Sequence, residues 1–209
     1  MITDIYTDAS IATKGHTAGH GWVIVHDVPR YHVTVGFSHK DHLRGLFNSV
    51  VYAELKAIEK GIKAALATKD DLYGAILWCD SEDALGMVES PVYHPDLQKA
   101  YSPVLNYIRR EARANRLKLS WVKGHGDDPY NDAADRLAVL SRRNREYGLS
   151  RDHSHTMAAR VAQELTDWHT KSTHQGNPDN IALHRAMKEP LCRECRRALH
   201  SMTAEMVGR

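Results

Sequence analysis

The chain has 209 residues, of which 42% are hydrophobic and 26% charged, and its formal net charge is +2 at pH 7. This is enough apolar material for one sizeable core and an appendage, but the charge is too small to indicate a nucleic-acid partner by itself. The 3 cysteines argue against a disulfide framework and favour a reducing compartment, so we expect a cytoplasmic protein. No stretch approaches the roughly 18 apolar residues of a membrane span, and we recognise no signal peptide.

Three strand-like segments open the chain. They cover residues 2–7, 22–25 and 31–37, and their short connections favour an antiparallel meander. The first segment ends at Asp8, where a carboxylate is either a turn former or a site residue.

A helical stripe follows the polar loop of residues 39–48. Its apolar residues recur at helical spacing: Val51, Leu55, Ile58, Ile62 and Leu66. Glu54 borders this stripe, and carboxylates are rarely buried without a partner. The alternative is a glutamate that interacts with the dipole at the start of the helix.

A continuous apolar run at residues 73–79 predicts a central strand that is covered on both faces. The run ends at Asp80, which is either a turn residue or a site residue, and Ser81 can cap the helix that follows. Cys79 is most simply a small buried apolar side chain.

A basic run begins on the next predicted helix, residues 104–114. We expect Arg109, Arg110 and Arg113 to be exposed there, and the run continues through Arg116, Lys118 and Lys123. It is either a solvated helix face or a surface that binds phosphate groups.

The most informative stretch spans residues 119–140. Alternation of Leu117, Leu119 and Trp121 with polar residues predicts a half-buried strand. A loop with two glycines around His125 follows, and then Asp128-Pro129 predicts the start of a helix. Two polar residues share one face of the first turns of this helix because they lie four apart: Asn131 and Asp135.

The composition becomes polar and basic after residue 141, and we place a linker at residues 148–153. It divides a domain of residues 1–147 from a small helical C-terminal extension, residues 154–209, in which Ser154 can cap the first helix. The extension contains a Cys-x-x-Cys pair and histidines that could form a zinc site: Cys192, Cys195, His169 and His174. Two reduced cysteines at a helix start are the favoured alternative, because the gap between the histidines and Cys192 is atypically long. Nucleic acid or a protein partner would suit the basic extension.

Four acids lie at positions that can converge, two at predicted strand ends and two on predicted helices: Asp8, Glu54, Asp80 and Asp135. Acids at the carboxyl ends of strands lie where open α/β sheets form their sites. Four carboxylates need cations to share a dry site, since like charges disfavour each other's ionisation. Hard oxygen ligands indicate Mg²⁺ or Mn²⁺, and two such ions can flank a phosphodiester.

The segments that carry these acids resemble type I ribonuclease H. They are TDAS with Asp8, AELKAI with Glu54, CDSEDAL with Asp80, and WVKGHGDDPYNDAADRLA with His125, Asn131 and Asp135. The resemblance covers residues 1–147 and implies an α/β ribonuclease H-like fold, with a five-stranded mixed sheet in the order 3-2-1-4-5 flanked by helices. It also implies a metal-dependent endonuclease that hydrolyses the RNA strand of RNA–DNA hybrids and leaves 5′-phosphate and 3′-hydroxyl ends.

The resemblance assigns roles by position. Asp8 would bridge two Mg²⁺ ions, for which Mn²⁺ can substitute, and the other three acids would complete the metal shell. His125 would handle the attacking water or release the product. The residues expected to contact the hybrid are Ser10, Asn48, Ser49, Lys123, Asn131, Arg109 and Arg113.

The chain departs from the family pattern just before the helix glutamate. Members usually carry polar residues there that help to read the 2′-hydroxyl, whereas Val50, Val51 and Tyr52 occupy these places here. The basic handle of bacterial members is also shortened, and the arginines of the predicted helix 104–114 would replace part of it. Two alternatives therefore remain: a DNA-directed nuclease of the same fold, and a non-catalytic module that binds hybrids.

Overall fold

The computed structural model describes residues 1–12, 17–27, 31–40, 50–126 and 128–174. The strands are β1 (Ile2–Ile11), β2 (Ala18–His26), β3 (His32–Lys40), β4 (Ile76–Cys79) and β5 (Lys118–Trp121). The helices are α1 (Val50–Ala67), α2 (Glu82–Glu89), α3 (Pro95–Ala100), α4 (Ser102–Ala114), α5 (Pro129–Tyr147) and α6 (Arg151–His174). None of the helices in these ranges combines the length and the apolar character needed to cross a membrane.

The five strands form one mixed sheet in the order β3-β2-β1-β4-β5. The first three strands are antiparallel neighbours, whereas β4 runs parallel to β1 and β5 parallel to β4. The predicted fold class is therefore confirmed. Because β1 and β4 are parallel, the residues that follow them meet at the same edge of the sheet.

Successive residues of β1 face opposite helices, as the pleat of a strand requires. Tyr6 stacks on Tyr130 of α5 with ring centroids 5.2 Å apart, whereas Thr7 lies against Gly61 of α1. The sheet is thus covered on both sides, and fully buried apolar residues of α1 and β4, such as Ile58 and Leu77, form the core on the α1 side.

Two glycines of β2 let α5 approach the sheet closely. A Cβ atom at Gly21 would lie 2.1 Å from the Ala134 carbonyl oxygen, and one at Gly19 would lie 2.1 Å from that of Ala138. No side chain fits at such distances, so glycine is required at both positions. This close packing brings Asp135 of α5 towards the end of β1.

The predicted helix starts agree with the structure at α2 and α5. The Ser81 hydroxyl accepts a hydrogen bond from the Ala84 N–H, and the Asp128 side chain accepts bonds from the N–H groups of Tyr130 and Asn131. Ser154 does not cap a helix: α6 begins three residues earlier, and the buried Ser154 hydroxyl donates to the Ser150 carbonyl.

The chain forms two compact units, residues 1–162 and 163–209. The first unit contains the whole sheet and the start of α6, where Ser154, Ala158 and Val161 are buried. The predicted division of the chain by a linker at residues 148–153 stays a prediction. Cys192 and Cys195 lie outside the described residues, as does the side chain of His174, so the hypothesis of a zinc site with His169 also stays open.

The half-buried strand predicted from Leu117, Leu119 and Trp121 forms as β5, in which Leu119 is partly buried and Trp121, at the end of the strand, is 46% exposed. One predicted exposure is wrong. Arg109 was expected to be exposed, but it is half-buried, and its guanidinium donates to the carbonyl groups of Met87 and Val88 at 2.6 and 2.8 Å. Arg109 therefore holds α4 against the end of α2.

Candidate active site

Asp8 lies near the end of the central strand β1 and is 6% exposed. Its Oδ1 accepts a hydrogen bond from the Ala9 N–H at 2.7 Å, which fixes the orientation of the carboxylate. The Asp135 carboxyl group, supplied by α5, lines the same small cavity and lies close enough to raise the pKa of Asp8. The strand end and the helix thus bring together two acids that are 127 residues apart in the sequence.

Glu54 approaches the same point from α1 and is 3% exposed. Its Oε2 lies 3.9 Å from the thiol of Cys79, the last residue of β4. The expectation that this glutamate borders the buried stripe and has a partner agrees with the structure. Cys79 is buried as expected, but its thiol also donates a weak hydrogen bond to the carboxylate, a contact that sequence reasoning missed.

Asp80 follows β4 directly and is half-buried. Its carbonyl oxygen accepts a hydrogen bond from the Trp121 indole N–H at 3.0 Å, which joins the ends of β4 and β5. A Cβ atom at Gly124 would lie 2.6 Å from the Asp80 carboxylate, so the first glycine of the loop leaves room for this acid.

His125 lies on the exposed loop after β5 with a φ of 50°, a backbone conformation that most residues avoid. The sequence predicts positive φ in this loop, and the structure places it at His125 itself, not at Gly124 or Gly126. His125 lines one small cavity together with Asp8, Asp80, Asn131 and Asp135. The structure therefore brings together the residues that the resemblance assigns to catalysis, with Glu54 beneath them.

Asn131 occupies the first turn of α5 and is 4% exposed. Its backbone N–H is satisfied by the Asp128 cap, but its side-chain Oδ1 has no hydrogen-bond partner among the described residues. A buried amide oxygen without a partner is costly, and it lines the cavity of the acids. A bound ligand or an ordered water would satisfy it.

Burial and mutual repulsion disfavour ionisation of the clustered acids. Burial, followed by the charges of Asp80 and Asp135, raises the pKa of Asp8 to about 8. Burial and the charges of Asp8 and Asp80 hold the pKa of Glu54 well above its usual range, and burial also raises that of Asp80. Divalent cations would remove this repulsion, and a set of carboxylate oxygens suits Mg²⁺ or Mn²⁺.

The predicted substrate contacts are only partly brought to the site. Ser10 lies two residues beyond Asp8, and its Oγ accepts a hydrogen bond from the Arg142 Nε at 3.0 Å. Lys123 and Arg113 are exposed, as a phosphate contact requires, whereas Arg109 is engaged within the fold. Asn48 and Ser49 lie outside the described residues.

Arg142 is a further residue near the site that sequence reasoning missed. It also donates to Glu146 at 2.7 Å, one turn further along α5. The signal was present in the sequence, because residues seven apart on a helix share a face and Arg142 follows Asp135 by seven.

Comparison with known proteins shows to which family this chain is similar. The family model described as RNase H matches residues 2–143. LC9-RNase H1, described as a type 1 RNase H with the type 2 active-site motif, is 13% identical with a TM-score of 0.54, and the match covers 76% of this chain and 83% of that one. The N-terminal RNase H domain of rv2228c from Mycobacterium tuberculosis is 18% identical with a TM-score of 0.51, and the match covers 71% and 99% of the two chains.

The prototype foamy virus protease–reverse transcriptase is 21% identical with a TM-score of 0.51, and the match covers 66% of this chain but only 20% of the viral chain. A comparison with curated protein sequences gave no match. At these identities the structural neighbours establish the fold. The family model spans all five strands and extends into α5, beyond Asp135, so this chain belongs to the RNase H family.

Proposed function

We propose that the protein is a metal-dependent endonuclease that hydrolyses the RNA strand of RNA–DNA hybrids. The observation that carries the proposal is the convergence of Asp8, Glu54, Asp80 and Asp135 in a chain of the RNase H family. The raised pKa values of the buried acids support it, since perturbed carboxylates cluster at functional sites. The products would carry 5′-phosphate and 3′-hydroxyl ends.

The four acids would hold two divalent cations, Mg²⁺ or in its place Mn²⁺. When bound, such ions supply an activated water and stabilise charge on the leaving oxygen. The protein contributes a rigid frame for them: Asp8 is fixed by the Ala9 N–H, and Glu54 is held at the end of β4 beside the Cys79 thiol.

His125 is suited to move protons because it is exposed on a loop at the mouth of the cavity. One imidazole nitrogen would accept a proton at the attacking water or deliver one to the product. The His125 side chain also lies close enough to Asp80 for its charge to lower the pKa of that carboxyl against the effect of burial. Asn131 would orient a substrate oxygen or a water through its side-chain amide.

The hybrid would be bound along the exposed basic residues Lys123 and Arg113, with Ser10 beside the catalytic acids. The chain departs from the family pattern where members contact the 2′-hydroxyl. Val50, at the start of α1, is 62% exposed, whereas members carry polar residues there. Ser10, Asn48, Ser49 or backbone groups would supply these contacts. Asn48→Ala should therefore reduce the preference for hybrid over double-stranded DNA, and an unchanged preference places the reader elsewhere.

Cleavage of labelled duplexes tests the proposal. Hybrid, double-stranded DNA and double-stranded RNA are compared with Mg²⁺, with Mn²⁺ and with EDTA, using the wild type, Asp8→Asn and His125→Ala. We expect hybrid cleavage that requires metal, loss of turnover in Asp8→Asn, and a decrease by roughly 10²–10⁴ in His125→Ala if it transfers protons. Asp96→Asn, an equal change of charge on the exposed face of α3, is the matched control.

The alternatives give different results in the same assay. Cleavage of double-stranded DNA in preference to hybrid indicates a DNA-directed nuclease of this fold. Tight hybrid binding without cleavage under any metal condition indicates a non-catalytic binding module. Full activity of Asp8→Asn overturns the assignment of the site.

A further inference from the structure

A second cluster of metal-ligating side chains lies at the opposite end of the sheet. His26 ends β2, His32 begins β3 directly opposite it in the ladder, and Asp70 follows α1. One ligand atom of each residue lies within 4.8 Å of those of the other two. Gly21 pairs with Asp8, and His26 lies five residues further along β2, which places the cluster about 17 Å from the catalytic acids.

His26 is held in one orientation. Its ring is 1% exposed, and Nε2 lies 3.1 Å from the Thr34 hydroxyl oxygen. The Nδ1 atom lies 2.8 Å from the Asp70 Oδ2, but this contact lacks the direction of a hydrogen bond. If Nε2 carries the proton that bonds to Thr34, a lone pair on Nδ1 faces the carboxylate, and a cation beside both atoms would stabilise this arrangement.

The other two side chains can adjust to a shared ion. The Asp70 side chain is 43% exposed, and its Oδ2 would move outward slightly, because ligand atoms around tetrahedral zinc lie roughly 3.3 Å apart. The His32 ring stacks on His26 with centroids 4.1 Å apart and planes 10° apart. A metal lies in the plane of each ligating ring, so the exposed His32 ring must rotate to bind it.

We propose that His26, His32 and Asp70 form a structural zinc site, with water as the fourth ligand. Two imidazoles and one carboxylate suit zinc and do not suit Mg²⁺, which prefers oxygen ligands throughout. Thr34 supplies the outer contact that fixes the His26 ring. Zinc here would join the β2–β3 ladder to the turn after α1 and stabilise the end of the sheet remote from catalysis.

Zinc binding to the full-length protein tests this site. Calorimetric titration follows metal removal with EDTA and dialysis, and Mg²⁺ is kept in excess so that the catalytic acids are occupied. The variants His32→Ala and Asp70→Asn change exposed residues, and His39→Ala removes another exposed histidine of β3 as the matched control. Melting temperatures are measured with and without zinc.

We expect His32→Ala and Asp70→Asn each to bind one equivalent of zinc fewer than the wild type and to lose the zinc-dependent rise in melting temperature. His39→Ala should behave as the wild type does. Cobalt bound at this site should show tetrahedral absorption bands that disappear in His32→Ala, without the charge-transfer band of a thiolate ligand. An unchanged zinc stoichiometry in both variants overturns the proposal. Hybrid cleavage by these variants tests the proposed function separately, and neither result depends on the other.

Discussion

Substitution of Asp8 should stabilise the metal-free protein while abolishing its activity. Burial and neighbouring charges raise the pKa of Asp8 to about 8, whereas the ordinary value is 3.8. The folded state therefore holds this proton more tightly than the unfolded state does. Below the unfolded pKa, Asp8 is protonated in both states and does not change the free energy of unfolding. This free energy then decreases as the pH rises from about 4 to about 8. At pH 7 the shift corresponds to about 4 kcal/mol.

Asp8→Asn removes this titration, but the amide also needs hydrogen-bond partners in a site built for carboxylates. We expect a net gain of about 1–3 kcal/mol at pH 7 in EDTA, or roughly 3–10 °C in the melting temperature. The gain should largely disappear near pH 4, where Asp8 is protonated in the folded wild type and partly protonated in the unfolded state, because its unfolded pKa is 3.8. Added Mg²⁺ should narrow the difference, because it binds the wild type and offsets the repulsion there.

Thermal and urea unfolding at both pH values measure this effect, with Asp96→Asn as the control for a change of net charge at an exposed position. The reasoning is refuted if Asp8→Asn is no more stable than the wild type at pH 7 in EDTA. It is also refuted if the gain persists unchanged at pH 4, since the gain would then not come from ionisation of the carboxylate.

Three further outcomes follow from packing and charge. Gly21→Ala should lower the free energy of unfolding by about 3 kcal/mol or more in a denaturation series, because its Cβ would meet the backbone of α5. Arg109→Ala should lower the free energy of unfolding by about 1–3 kcal/mol without changing the salt dependence of hybrid binding. Arg113→Ala, at an exposed position, should flatten that salt dependence and leave stability unchanged. Denaturation measures the first effect, and filter binding across a salt series measures the second. A fragment of residues 1–162 should unfold at a higher temperature than a fragment of residues 1–150, because the latter lacks the buried start of α6.

Much of the site was readable from the sequence, because its signals are local. A carboxylate that follows an apolar run, as Asp80 does, marks a strand end, and Asp128-Pro129 marks a helix start whatever the rest of the chain does. Helical spacing likewise placed Glu54 at the border of a buried stripe. Because open α/β sheets form their sites at the carboxyl ends of strands, these local signals predicted a site at Asp8 and Asp80. The two helix acids, Glu54 and Asp135, joined it through the expectation that their helices pack on the same sheet and through the resemblance to ribonuclease H.

Only the tertiary structure decided how individual side chains are used. Whether Arg109 is a phosphate contact or a fold contact depends on the carbonyl groups at the end of α2, about 21 residues away in the chain, and no helical pattern reveals them. The cluster of His26, His32 and Asp70 exists only because the ladder of β2 and β3 meets the turn after α1. Hydrophobic period and capping act over a few residues, whereas these contacts arise from close packing between distant segments.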